Sequence, residues 1–206
     1  MSAGGGILSL ALIRHGATEW NSAGRIQGAS DIPLSAAARA VVLDWSVPPE
    51  FKHFAWATSP LARARETATL LGGRSVTIEP RLAEMHWGEW EGLRLADLRA
   101  SLGAVMAERE ARGLDFQPPG GESPRQVQER LKPWLVAVAQ AGRPTIAVTH
   151  KGVIRAALAL AAGWDMTARP PAKLDWSCVH LFALEPAGRL SVARLNIALS
   201  RTQERG

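Results

Sequence analysis

Apolar positions fall into two rhythms along the 206-residue chain. Four short runs are rich in β-branched or aliphatic residues and read as strands: 7–13 (ILSLALI), 54–58 (FAWAT), 75–79 (SVTIE) and 145–149 (TIAVT). Between them apolar residues return at helical spacing over 35–45, 60–71, 94–111 and 124–140. The stretch 152–162 (GVIRAALALAA) lacks a wide polar face and is expected to be a buried helix. Near the C-terminus, WSCVHLFALEPAGRLSVARLNI reads as two strands joined by a Pro-Ala-Gly-Arg turn, a hairpin. Strands alternating with helices indicate an α/β sandwich whose sheet is mostly parallel with an antiparallel edge.

Boundary residues sharpen this outline. Ser59-Pro60 offers an N-cap and a favourable first helical position. Ser123-Pro124 repeats the signal, and Gln126 completes a capping box. Pro133 lies inside that helix and is expected to kink it. The paired prolines and glycines of 112–123 (RGLDFQPPGGES) suggest a loop that walls or covers something. No second hydrophobic core is visible, so residues 1–206 are expected to form one domain with an inserted helical segment around 80–125.

Composition narrows the classes. Apolar residues make up 47% of the chain, yet no apolar run approaches the roughly 18 residues that span a bilayer. The segment ILSLALI has no preceding basic residue and no cleavage site after it, so it reads as a strand rather than a signal peptide. A single Cys178 excludes an intrachain disulfide and suits a reducing cytoplasm. The +5 charge rests on 24 Lys and Arg, of which four are Lys. The arginines are scattered and alanine is abundant, which favours codon bias over nucleic-acid binding; neither nucleic acid nor membrane is expected as a partner. The glycine run at 4–6 reads as a frayed end. Oligomeric state is left open.

The chemistry gathers where strands end, since ligands of open α/β sheets bind beyond the carboxyl ends of the strands. Strand 7–13 runs into Arg14-His15-Gly16, strand 54–58 into Ser59-Pro60 with Arg63 just beyond, and strand 145–149 into His150-Lys151-Gly152. Singly, a histidine at a strand end is more often structural, and an arginine more often solvated. Together the basic groups repel one another unless an anion joins them. A phosphate fits, because guanidinium forks match its oxygens and the helix beginning near Lys151 offers backbone N–H groups. Positive neighbours also depress the pKa of His15, keeping the imidazole neutral and nucleophilic, and Gly16 would let the backbone turn sharply and keep the ring accessible. Charge neutralisation by arginines needs no metal. Glu84, Glu89 and Glu91 crowd one segment, and composition alone does not choose among them as an acid.

The stretch LIRHGATEWN resembles the signature of the histidine phosphatase superfamily, the phosphoglycerate-mutase-like proteins. The likeness extends through GRIQGASDIPLSAAARA, TSPLARARETA, LAEMHWGEWEG, PGGES and VTHKGVIRAAL, nearly the whole chain in order. Its EMHWGEWEG block is most similar to small bacterial phosphatases such as alpha-ribazole phosphatase. The resemblance implies a three-layer α/β/α sandwich, parallel except for one edge strand. It implies His15 as nucleophile and transient phosphohistidine, with Arg14, Arg63 and His150 holding the phosphoryl oxygens and Asn21 assisting. It selects Glu84 as general acid, whose pKa the apolar Leu82, Met85 and Trp87 would raise. Thr18, Gln27, Gly28, Lys151 and Gly152 join Asn21 as expected substrate contacts. No metal or cofactor is implied, and the partner is a small phosphorylated metabolite.

Lys151 stands where many relatives carry glycine, and Ala17 replaces a common Glu or Gln; neither removes a catalytic group. The longer mutases carry extra segments that close over the site, and the apparent lack of them favours hydrolysis over mutase activity. Trp20, Trp87 and Trp90 either line the pocket or pack in the core, and Glu89 and Glu91 read as structural or lid contacts. A cysteine phosphatase needs an arginine six positions after its cysteine, where this chain has Leu184. Nucleotide-loop and serine-elbow motifs are missing, and the histidines lack close metal-ligand spacing, so His53 and His180 read as structural. The rival from another class is a phospho-ligand sensor without catalysis. It would need neither the nucleophile nor the acid.

Overall fold

The computed structural model describes residues 6–73 and 75–201, so most of the glycine run lies outside the described residues. Its strands are β1 (Leu8–Arg14), β2 (Trp45–Ser46), β3 (Ala55–Thr58), β4 (Val76–Ile78), β5 (Thr145–Thr149), β6 (Cys178–Leu184), β7 (Leu190–Ala198) and β8 (Ser200–Arg201). The helices are α1 (Glu19–Ser22), α2 (Ala36–Leu43), α3 (Ala62–Leu70), α4 (Leu95–Leu102), α5 (Ala104–Glu110), α6 (Pro124–Ala141) and α7 (Lys151–Ala162). One sheet has the order β4-β3-β5-β1-β6-β7, parallel from β4 to β1. The hairpin reverses β6 against β1, and β7 pairs antiparallel with β6. The reversed strand therefore sits next to the edge, and the edge strand runs with β1. A separate pair, β2 with β8, is too short to leave a hydrophobic rhythm and was not foreseen.

Alternation along β1 explains the layers. Leu10 and Leu12 point into one core with α6 and α7, while Ala11 and Ile13 point into the other with α2 and α3. Helix α7 is buried along Val153, Ile154, Ala156, Ala157, Leu158 and Ala159, as its unbroken apolar sequence requires. Each such Leu or Ile contributes about 1.5–3 kcal/mol by leaving water.

Two local expectations are corrected. Helix α3 starts at Ala62, not at 60, and Leu61 at its cap position makes no side-chain cap. The Ser59 hydroxyl instead accepts the Leu61 N–H at 3.2 Å and faces His150. The helical pattern of 94–111 is cut in two at Gly103, whose φ of +48° is outside the helical range. A third apolar cluster exists: Trp90, Leu98 and Met106 are buried together, and Trp87 and Phe116 pack against both this cluster and the α6–α7 core. By contrast, Ser123 and Gln126 form the expected capping box, and α6 continues through Pro133. No helix among the described residues is long and apolar enough to cross a membrane.

Candidate active site

Strand register brings the basic groups to one rim. Arg14 lies opposite Thr149 and Thr58 opposite Val148, so β1, β3 and β5 end nearly flush. The chain leaves them under control: His15 N–H donates to Thr149 O at 3.0 Å, and Ser59 N–H to Val148 O at 3.0 Å. Beyond the rim opens a cavity of about 420 Å³ lined by Arg14, His15, Arg63, Glu84 and Lys151 among others.

His15 is buried, and its Nδ1 lies 2.6 Å from Gly16 O. A carbonyl can only accept, so Nδ1 carries the proton and Nε2 keeps its lone pair. The ring of His150 sits 4.9 Å away, centroid to centroid. Both histidines have pKa values well below the ordinary range. Burial is the larger cause for both; for His15 the Arg14 and Arg63 charges come next, and for His150 the neighbouring His15 does, ahead of Arg63, Arg130 and Arg14. Gly16 serves a purpose other than the expected sharp turn. A Cβ there would meet Val42 at 2.7 Å and Leu34 at 3.2 Å, while its N–H donates to Thr67 Oγ1 at 3.0 Å.

Arg63 is wholly buried and clamped, donating through one terminal nitrogen to Ser30 O at 2.7 Å and through the other to Gly28 O at 2.8 Å. Its clash with the α3 dipole is offset by Asp31, whose carboxylate accepts the Ala62 N–H at 2.6 Å. His150 Nε2 is 2.7 Å from Ser59 Oγ. That hydroxyl already accepts from Leu61, so its own proton can go to Nε2, leaving Nδ1 as a donor. Among the described residues four buried side-chain polar atoms lack a partner: Arg14 Nε, Arg63 Nε, His150 Nδ1 and His180 Nε2. Three of the four belong to this rim. Each costs about 1–3 kcal/mol until an acceptor arrives.

Glu84 reaches in from the segment after the 3-10 turn Pro80–Leu82. Its carboxylate accepts the Met85 N–H at 2.8 Å and the Gly152 N–H at 3.1 Å. Burial raises its pKa; those two N–H groups, Arg63 and Arg14 oppose the shift without cancelling it. The Gly152 N–H is therefore engaged with the acid rather than free for phosphate, which revises its expected role. Arg130 was missed by sequence reasoning. From α6 it donates to the carbonyls of Arg81 and Ala83 and pairs with Glu122 at 2.9 Å, fixing the backbone that carries Glu84.

The remaining expectations divide. Asn21, Gln27, Gly28, Lys151 and Gly152 line the cavity; Thr18 does not. Thr18 is buried, its hydroxyl capping Asn21 N and bonding Gln27 Oε1 at 2.9 Å, so it holds the wall in place. Glu91 accepts from Ala29 N, Ser30 N, Ser30 Oγ and Trp87 N, tying the loop that clamps Arg63 to the segment after Glu84. Trp87 lines the cavity, Trp90 packs in the third cluster, and Trp20 lies against Gly92. His53 and His180 lie off the site, His53 exposed and His180 buried. Arg25, Arg99 and Arg155 also line the cavity. Nothing in their sequence neighbourhood marks them, except that Arg155 follows Lys151 by one helical turn.

Residues 10–197 match the model of the histidine phosphatase superfamily (branch 1). The chain belongs to that superfamily. It is 36% identical over 168 residues to glucosyl-3-phosphoglycerate phosphatase of Mycolicibacterium vanbaalenii, covering 75% of this chain and 74% of the relative. It is 33% identical over 165 residues to the metal-independent phosphoserine phosphatase of Arabidopsis thaliana, covering 73% and 67%. A solved mycobacterial glucosyl-3-phosphoglycerate phosphatase in complex with inorganic phosphate superposes with a TM-score of 0.77 at 27% identity, over 93% of this chain and 98% of that one. This histidine phosphatase thus shares its fold with a solved enzyme named for phosphate ester hydrolysis.

Proposed function

We propose that the chain hydrolyses small phosphate monoesters through a phosphoenzyme on His15, without a metal. The observation that carries the reading is the set of unpartnered donors, Arg14 Nε, Arg63 Nε and His150 Nδ1, gathered around an imidazole whose Nε2 lone pair is free. Three oxygens of a phosphoryl group satisfy them in one step. In the first half-reaction the Nε2 lone pair forms a bond to phosphorus while the ester P–O bond breaks. The leaving oxygen takes the proton of Glu84, whose raised pKa keeps it available. In the second, the Glu84 carboxylate removes a proton from water as that oxygen attacks phosphorus. The P–N bond breaks, phosphate leaves and His15 returns neutral.

The helical segment 86–116, with its own apolar cluster, forms the outer wall that bears Trp87, Leu95 and Phe116, and we assign it the choice of substrate body. Candidates include sugar phosphates, phosphoglycerates and alpha-ribazole phosphate. Turnover of p-nitrophenyl phosphate in EDTA, inhibition by vanadate, and capture of an acid-labile phosphoprotein are expected, and His15→Ala should lose both the turnover and the phosphoprotein. Activity that EDTA abolishes would overturn the metal-free mechanism. Ligand binding with no turnover of any monoester would mark a sensor, and interconversion of phosphoglycerates faster than phosphate release would mark a mutase.

A further inference from the structure

The cavity holds more positive charge than one phosphoryl group uses. Six basic residues line it, Arg14, Arg25, Arg63, Arg99, Lys151 and Arg155, against two acids, Glu84 and Glu110. Arg99 is paired with Glu110 at 2.7 Å, and Arg25 donates to Gly92 O at 2.7 Å. Arg14 and Arg63 flank His15 and match the charge of a phosphate monoester dianion. Among the described residues neither Lys151 nor Arg155 forms an ion pair, although Lys151 lies within electrostatic reach of Glu84. Each packs against a ring: Lys151 Nζ lies 5.4 Å from the Trp176 ring centre, and Arg155 lies 5.4 Å from that of Trp164, while the charges of Arg14 and Arg155 both press on Lys151. Trp176 also carries Arg14 on its ring at 6.0 Å, so two of the cavity's cations share one ring.

Their spacing is set by one helix. Lys151 is the first residue of α7, beside the Gly152 N–H that holds Glu84, and Arg155 is one turn further on. Four residues of helix rise about 6 Å. The two cations therefore stand one helical turn apart on one helix, in the same cavity as Arg14 and His15. Like charges one turn apart repel unless something negative bridges them.

Resting on the hydrolytic reading above, we propose that Lys151 and Arg155 form a second anion subsite, which selects phosphomonoesters bearing a further anionic group, a carboxylate or a second phosphate, about one helical turn from the transferred phosphoryl group. The test compares kcat/KM within matched pairs: 3-phosphoglycerate against glycerol 3-phosphate for a carboxylate, and fructose 1,6-bisphosphate against fructose 6-phosphate for a phosphate. The intact chain is expected to prefer the doubly anionic member of at least one pair by 10-fold or more, chiefly through KM, and the favoured pair names the group. Arg155→Met and Lys151→Met should each shrink that ratio about 10-fold. A ratio within one pair is insensitive to how much of a variant is folded. A ratio near one in both pairs, or a ratio unchanged in both variants, would overturn the subsite. Should no monoester turn over at all, p-nitrophenyl phosphate included, the hydrolytic reading fails instead, and binding of the same pairs measured by calorimetry still decides the subsite by the same ratios.

Discussion

Gly152→Ala separates positioning of the acid from folding, because the two effects have opposite signs. The residue is second in α7, in ordinary helical backbone, so alanine is the better helix former by roughly 1 kcal/mol. Its Cβ, however, would stand 2.4 Å from Glu84 Oε1 and 3.3 Å from Met85 Cβ. Ordinary contact begins near 3.4 Å, so the carboxylate must retreat by about 1 Å (3.4 minus 2.4). That retreat also breaks the N–H bond that aims it. A misplacement of about 1 Å costs on the order of 100-fold in rate. We expect kcat/KM for an alkyl phosphate to fall about 30- to 300-fold by the same reasoning, with the thermal midpoint held or slightly raised. An aryl ester such as p-nitrophenyl phosphate, whose leaving group scarcely needs a proton, should lose far less. In the Glu84→Gln background the substitution should add little, since the acid is already gone. Equal losses on both esters, or full additivity with Glu84→Gln, would refute the argument.

Other consequences are checked as readily. Glu84→Gln should slow alkyl phosphates far more than p-nitrophenyl phosphate; equal slowing would remove Glu84 from the acid role. Because the folded-state pKa of Glu84 is raised, its stabilising contribution is complete at acid pH and lost as pH rises through that pKa, so Glu84→Gln should unfold at a higher temperature than the parent at pH 8. His15 and His150 shift the other way: their stability is complete above the unfolded value near 6.5 and drains as pH falls below it, by up to about 1.4 kcal/mol per pH unit for each histidine. Urea unfolding at pH 7 and pH 5.5 measures this; His180, also buried with a lowered pKa, adds in the same direction. A flat profile would contradict it. Gly28→Ala places a Cβ 2.0 Å from Glu91 Oε1 at a φ of +54° and disturbs the carbonyl that holds Arg63. Stability should fall by about 1–3 kcal/mol, and KM for phosphate esters should rise.

The rim was legible because it depends on where strands stop. An apolar run that ends in Arg14-His15-Gly16, and another in His150-Lys151-Gly152, disclose their register once the sheet is known to be parallel. What stayed hidden are contacts that join distant segments through backbone carbonyls. Arg130 looks like any helix arginine until α6 packs beside the 81–83 carbonyls. Ser59 looks like a helix cap until the imidazole of His150 arrives 91 positions later to claim its hydroxyl. Gly103 had the right composition to break a helix, but an isolated glycine inside a helical rhythm is often tolerated, so pattern alone ran the helix through it. Thr18 is a related case: a motif fixes its position beside the site, while only the structure shows its hydroxyl bonded to Gln27.

The features that lower stability here are also those that make the site work, and both follow from the burial of polar groups at the strand ends. Solvation would pair the idle donors of Arg14, Arg63 and His150, and it would return His15 toward its ordinary pKa, where part of the population is protonated and cannot attack. Burial leaves the donors without a protein partner and the imidazole neutral together. The energy withheld from those donors is returned when an anion of the right shape enters. A ligand at 100 times its dissociation constant stabilises the fold by about 2.7 kcal/mol, comparable to one or two such hydrogen bonds to charged groups. Inorganic phosphate or vanadate should therefore raise the thermal midpoint of the parent chain. It should do so much less in Arg63→Met, where the clamp to Gly28 and Ser30 and its inward-facing Nε are both removed.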